Sequence, residues 1–254
     1  MESKPRSYVA EGFGTFLVVL VGAGAICAGN LLRSVDPDHQ PVAAYAIAEG
    51  FGLAVALTVT LYVSLGCLNP AITIMLWVFR RLETRQMAAL IASQVMGAAL
   101  AGLLLRLGFS EEALRDSHLG APFLKGSLVP TEGATAGTLF SGTAVELLAG
   151  ALVTLALFAS ILDPRAPRMG GVLVGMAQSA AVVFGFNMTG GIGNPARWFG
   201  PAIWYPTLLP EKQPSFVTDA LIYCGGPVLG ALAAAFLYHS LILPEEKKPG
   251  GRHR

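Results

Sequence analysis

Charge is scarce in this sequence. Only 13% of the 254 residues are Asp, Glu, Lys or Arg, against about 25% in an ordinary soluble domain. Hydrophobic residues make up 54%, and the mean hydropathy is +0.60. The formal net charge of +1 offers no electrostatic basis for binding nucleic acid. Cysteine is also rare. Cys27, Cys67 and Cys224 lie in or near apolar segments, with no metal-ligand spacing between them, and read as small buried side chains rather than redox centres. The histidines (His39, His118, His239, His253) are scattered. No metal or cofactor is expected, and no Ser/His/Asp constellation suggests an enzyme.

Long apolar runs are plentiful. Six stretches, roughly 9–29, 42–64, 86–107, 138–161, 169–189 and 219–243, are long enough to cross a bilayer. The first follows Lys4 and Arg6 and is read as a span rather than a cleavable signal peptide. Pro244 should stop the last. The many glycines, such as Gly14, Gly52, Gly97, Gly150 and Gly175, suit close helix approach in lipid.

Two shorter apolar pieces, about 70–79 and 195–205, cannot span. Each begins with the same tripeptide: Asn69-Pro70-Ala71 and Asn194-Pro195-Ala196, the second extended by Arg197. Asn is a good N-cap and Pro the favoured first helical residue, so each tripeptide marks a helix start. A helix that starts inside a membrane must present its free N–H groups to something polar. Two such starts, half a chain apart, point to a pore or a midplane site.

The halves repeat coarsely. Glu11 stands early in the first span and Glu146 early in the fourth. Three spans per half make the second half inverted relative to the first. The expected fold is therefore all-α and membrane-embedded: six transmembrane helices plus two re-entrant half-helices in inverted three-helix repeats. The first repeat would occupy 1–107, an external connecting loop 108–137, the second repeat 138–243, and a cytoplasmic tail 244–254. With both termini inside, Lys4, Arg6, Arg80, Arg81, Arg85, Arg165, Arg168, Lys247, Lys248, Arg252 and Arg254 face the cytoplasm. Only Arg33, Arg106, Arg115, Lys125 and Lys212 then lie outside. That bias follows the positive-inside rule.

Arg197 lies about one turn after Asn194. An unpaired guanidinium in lipid is very costly, so it should face a lumen or a carbonyl cluster. The asparagine amides each carry two donors and one acceptor. With the oxygen capping its own half-helix, the NH2 would face the lumen.

Over nearly its whole length the chain resembles the major intrinsic protein family, the aquaporins and aquaglyceroporins. The resemblance rests on Ala10-Glu11-Gly12-Phe13-Gly14-Thr15, Asn69-Pro70-Ala71-Ile72-Thr73 and Thr189-Gly190-Gly191. It rests further on Asn194-Pro195-Ala196-Arg197-Trp198-Phe199-Gly200-Pro201-Ala202 and on Gly226-Pro227 with Gly230. The first half departs from the pattern, since Cys67 stands where the family usually has His.

The resemblance implies a passive channel for water, with glycerol, urea or ammonia as further candidate permeants, that excludes protons and ions. It also implies a homotetramer in a cell membrane. It gives Glu11 and Glu146 the task of accepting hydrogen bonds from the re-entrant loops. It maps the narrowest ring to Arg197, Gly191, Val182 and a residue of the second span. Local matching of Phe51-Gly52-Leu53 makes Phe51 the expected fourth wall. Ungapped counting back from Asn69 gives Glu49 instead. Val182 and Gly191 are small, which favours a wide ring, whereas Trp198 stands where glycerol facilitators usually carry Asp. A main role as a small-solute facilitator therefore stays open. So does an ion-coupled transporter, for which Glu49 is the one candidate coupling group.

Overall fold

The structure is a computed structural model and describes residues 5–33, 41–124, 135–167, 169–208 and 216–243. The expected tail 244–254, the stop at Pro244 and part of the connecting loop lie outside the described residues. So do Lys4, Lys125, Arg168 and Lys212 of the charge comparison.

All regular structure among the described residues is helical. The elements are α1 (Pro5–Arg33), α2 (Val42–Thr60), α3 (Pro70–Val78), α4 (Thr84–Gly108) and α5 (Glu111–Ser117), then α6 (Ala136–Leu157), α7 (Val172–Gly185), α8 (Pro195–Ala202), α9 (Phe216–Ala220) and α10 (Gly226–Leu241). A π turn at Phe158–Leu162 extends α6, and another at Leu221–Gly225 joins α9 to α10. The second π turn sits just before Pro227, whose missing N–H disrupts the i→i−4 ladder there.

Among the described residues, five helical segments are long and apolar enough to cross a membrane: Pro5–Leu31, Val42–Thr60, Thr84–Gly108, Ala136–Leu162 and Phe216–Leu241. The chain is a multi-pass integral membrane protein. The stretch expected at 169–189 is regular only over the 14 residues of α7. The connecting segment contains α5, which the sequence reading placed in a plain loop. Ser110 caps it, accepting from the Ala113 N–H at 3.4 Å.

The packing shows a correspondence between the halves. α1 packs on α4 and α2, as α6 packs on α10 and α7. α2 lies against α7 across the middle, α3 packs on α10, and α8 packs on α4. Glycines make these approaches possible. A Cβ at Gly97 would run into the Gly12 carbonyl, and one at Gly230 into the Leu147 carbonyl. Gly50 and Gly175 face one another in the same way between α2 and α7. One apolar core surrounds α3 with Val18, Leu57, Met75, Leu157 and Ala231. A second, with Val19, Ala98, Ala101 and Leu105, receives Ala196 of α8. Large apolar side chains such as Phe13, Val55, Phe140 and Phe236 remain on the outside, as a lipid-facing surface requires.

Candidate functional site

The two short helices α3 and α8 begin as their tripeptides dictate. Asn69 Oδ1 accepts from the Ala71 N–H at 2.9 Å. Asn194 Oδ1 accepts from the Ala196 N–H at 3.0 Å and the Arg197 N–H at 3.4 Å. The amide nitrogens reach across the repeat boundary. Asn69 Nδ2 donates to the Gly193 carbonyl at 2.9 Å, and Asn194 Nδ2 to the Leu68 carbonyl at 3.0 Å. One of the two N–H groups on each amide is thus spent on the other loop, leaving one beyond it, and both asparagines border a narrow cavity. The sequence reading had left both N–H groups free.

The loops before each cap are held by buried acids. Glu11 Oε1 accepts from the Cys67 N–H at 3.0 Å, and Oε2 from the Leu68 N–H at 2.7 Å. Leu68 has φ +46°, the kind of strained backbone that persists only when its surroundings hold it. In the second half Glu146 Oε2 accepts from the Gly193 N–H at 2.8 Å, and Oε1 from the Ile192 N–H at 3.3 Å and the Thr189 hydroxyl at 2.7 Å. Gly193 has φ +55°, so the two loops share a left-handed residue just before the cap.

Two supporting side chains escaped the sequence reading. Gln94 Nε2 donates to Glu11 Oε2 at 2.8 Å and to Thr73 Oγ1 at 2.9 Å. Tyr223 donates to the Thr189 carbonyl at 2.7 Å. The available signal was a polar residue inside an apolar span, which in lipid must find a protein partner.

Of the two candidates for the fourth wall, the structure turns Glu49 inward and Phe51 outward. Phe51 is 67% exposed, whereas Glu49 is 3% exposed and bonded to Arg197. The reason is helical geometry. Glu49 and Leu53 are four residues apart and share the inner face of α2. Phe51, two residues from each, points the other way.

Arg197 is itself only 1% exposed. Its Nε donates to Glu49 Oε1 at 2.9 Å and Oε2 at 3.2 Å, and its Nη2 to Oε2 at 3.1 Å. Nη1 donates to the Gly120 carbonyl at 3.0 Å. Val182 lines the same space as this pair. Gly191 has φ +63°, and a Cβ there would strike the Ala181 carbonyl, so the position is built for glycine. Its neighbours Gly190 and Ile192 border the cavity.

Two cavities meet at the Glu49–Arg197 pair. The outer one, of about 200 Å³, is bordered by Tyr45, Phe123, Val182 and Phe186. The inner one is only about 10 Å³ and runs past Leu53, Cys67, Asn69, Gln178 and Asn194. That is close to the space one water occupies. Trp198, which stands where facilitators usually carry Asp, is buried and stacked on Tyr223 at 5.9 Å between ring centroids.

A multi-span helical body with a narrow, asparagine-lined cavity at its centre is the build of a channel-like membrane protein. Sequence comparison agrees: the family model "Major intrinsic protein" matches residues 2–238. The chain belongs to that family, whose members are channels and not enzymes. It is similar to aquaporin TIP4-4 of Zea mays, 32% identical over 94% of this chain and 88% of the relative. It is also similar to the lens fiber major intrinsic protein of Gallus gallus, 32% identical over 97% of this chain and 85% of the relative. Among solved structures, the aquaglyceroporin from Plasmodium falciparum shares the fold. Its TM-score is 0.76 at 16% identity, covering 93% of this chain and 96% of that one.

Proposed function

We propose that this chain is a passive channel that conducts water, excludes protons, and passes small neutral solutes as a second capacity. The observation that carries the reading is the reciprocal pair of asparagines. Each caps one half-helix, bonds across to the other half and keeps one N–H for the lumen. A water that accepts from both amides cannot also accept along the file, so the proton wire is interrupted there. Both helix N-termini add positive partial charge at the same level.

In this reading α7 serves as the sixth span, α3 and α8 are the re-entrant half-helices, and the halves are inverted. Both termini lie in the cytoplasm, as the basic residues favour, and the channel works as a homotetramer in a cell membrane. Glu11 and Glu146 hold the loops, and Arg197, Val182, Gly191 and Glu49 form the selective ring. The names of the relatives, aquaporin and aquaglyceroporin, fit water and glycerol as permeants.

Proteoliposomes should shrink much faster than empty vesicles after an osmotic step, with a low activation energy. Shrinkage with the temperature dependence of bare lipid would reject the channel reading. Small side chains at 182 and 191, with no aromatic ring at Glu49, favour glycerol, urea or ammonia as additional permeants. Stopped-flow scattering with inward gradients of each tests that. Coupled transport would require Glu49 to exchange protons during turnover, yet it is clamped by Arg197. Uphill solute uptake driven by a pH gradient would restore that alternative.

A further inference from the structure

Fixed positive charge at Arg197 would, alone, repel cations and attract anions. Here that charge is not alone. Both Glu49 oxygens accept from Nε, and Oε2 also accepts from Nη2. The fork-like contact brings opposite charges together at 2.9 Å, so from a few ångströms along the lumen they act as a dipole rather than a charge.

The surroundings are shaped for this pair. Gly22 on α1 lies beside the carboxylate, and a Cβ there would collide with Glu49 Oε2. Gly120, at φ +67°, sits where a Cβ would strike Ala23, and its carbonyl accepts from Arg197 Nη1. Of the five guanidinium N–H groups, three are committed to protein acceptors, which leaves two for a permeant. Arg197 thus keeps its donor function while its charge is cancelled.

We propose that Glu49 sets the charge selectivity of this channel. Paired with Arg197 it makes the ring electrically neutral, so that anions are not drawn in. Cation exclusion then falls to the two half-helix N-termini at Asn69 and Asn194. The inference rests on the channel reading above, and its test separates the two.

Wild type, E49Q, E49D, R197Q and the double variant E49Q/R197Q are reconstituted, and ion leak is normalised to the water permeability of the same vesicles. The channel reading itself fails if wild-type vesicles show no water flux above lipid. If it holds, E49Q should raise the normalised nitrate or chloride leak at least tenfold, and E49D should not. R197Q leaves a lone carboxylate and should raise the sodium leak by a similar factor. The double variant, neutral at both positions, should exclude both ions. Because it buries no unpaired charge, it also folds where a single variant fails, and it decides by itself. A double variant that leaks sodium would place the cation barrier on Arg197 and overturn the proposal. An E49Q channel that conducts water and still excludes anions would overturn it as well.

Discussion

Replacing Glu11 by Gln removes one atom's worth of acceptor and almost no volume, so it probes the loop support with little disturbance of packing. Glu11 accepts three hydrogen bonds through its two oxygens, from the Cys67 N–H, the Leu68 N–H and Gln94 Nε2. Glutamine has one carbonyl oxygen and an NH2 group. If the oxygen keeps Leu68, the NH2 faces the Cys67 N–H, donor against donor. If it keeps Cys67, the Leu68 N–H and Gln94 both face a donor. Either way at least one backbone N–H is left buried and unpaired. Such a group costs about 1–3 kcal/mol. The strained φ at Leu68 is common to both proteins and adds nothing to the difference, so the expected loss stays at about 1–3 kcal/mol. For a chain of this size that is a melting shift of roughly 2–12 °C.

Thermal unfolding in detergent reads the shift, and osmotic water flux reads the lumen. E11Q should melt lower and conduct less water, because the Leu68 carbonyl that positions Asn194 belongs to the same loop. Glu146→Gln should be milder, since the backbone bond it can give up, from the Ile192 N–H at 3.3 Å, is longer than the one from the Cys67 N–H at 3.0 Å, and the Thr189 hydroxyl can turn to accept from the new amide. An E11Q protein with wild-type melting and wild-type flux would mean that Glu11 does not hold the loop.

Other perturbations test separate parts of the picture. Val182→His should preserve water flow while cutting glycerol flow several-fold by narrowing the ring; intact glycerol flow in stopped-flow scattering would remove Val182 from the constriction. Phe51→Leu, on the outer face of α2, should leave the ratio of water to glycerol permeability within about twofold of wild type, the spread of a surface change worth under ~0.5 kcal/mol. Between α6 and α7, Arg165 donates to both oxygens of Asp163, at 3.0 Å from Nε and 2.6 Å from Nη2, and Tyr238 donates a further bond at 3.0 Å. The guanidinium holds the Asp163 carboxyl well below its ordinary value of 3.8. Its stabilising effect is therefore complete above that value and is lost as pH falls below it. Melting temperature measured from pH 6 to pH 3 should drop more steeply for wild type than for Asp163→Asn; equal slopes would show that the cluster does not contribute.

The two helix starts were legible in the sequence because their physics is local. Asn as cap and Pro as first residue specify a helix start without knowledge of the rest of the fold, and α3 and α8 begin at Pro70 and Pro195. The task of Glu11 and Glu146 came from the family resemblance, and it agrees with the physics: an ionisable side chain in an apolar span needs a partner, and the irregular backbone of each loop needs an acceptor. Gln94 and Tyr223 obeyed the same logic but carry no motif, so nothing singled them out from other polar residues in helices. The helix α5 also had a local signal, Ser110 followed by Glu111 and Glu112, an N-cap with acids in the first turn.

Glu49 is the instructive case, because two signals in the sequence competed there. The local match of Phe51-Gly52-Leu53 favoured an aromatic wall, and it required the loop before Asn69 to absorb a two-residue difference. The physical signal ran the other way. Glu49 is an acid within an apolar run, and leaving Phe51 inside would have turned Glu49 toward lipid, at a cost of several kcal/mol by desolvation of its charge. A lipid-facing Phe costs nothing, so the energetic asymmetry between the two registers decides the rotation of α2. The same asymmetry extends to Arg197. Once Glu49 must face inward at that level, the guanidinium and the carboxylate each become the cheapest available partner for the other, and Gly22 is the small residue that leaves them room. The Glu49–Arg197 pair is therefore a property of α1, α2 and α8 together, which is why no single motif along the chain displays it.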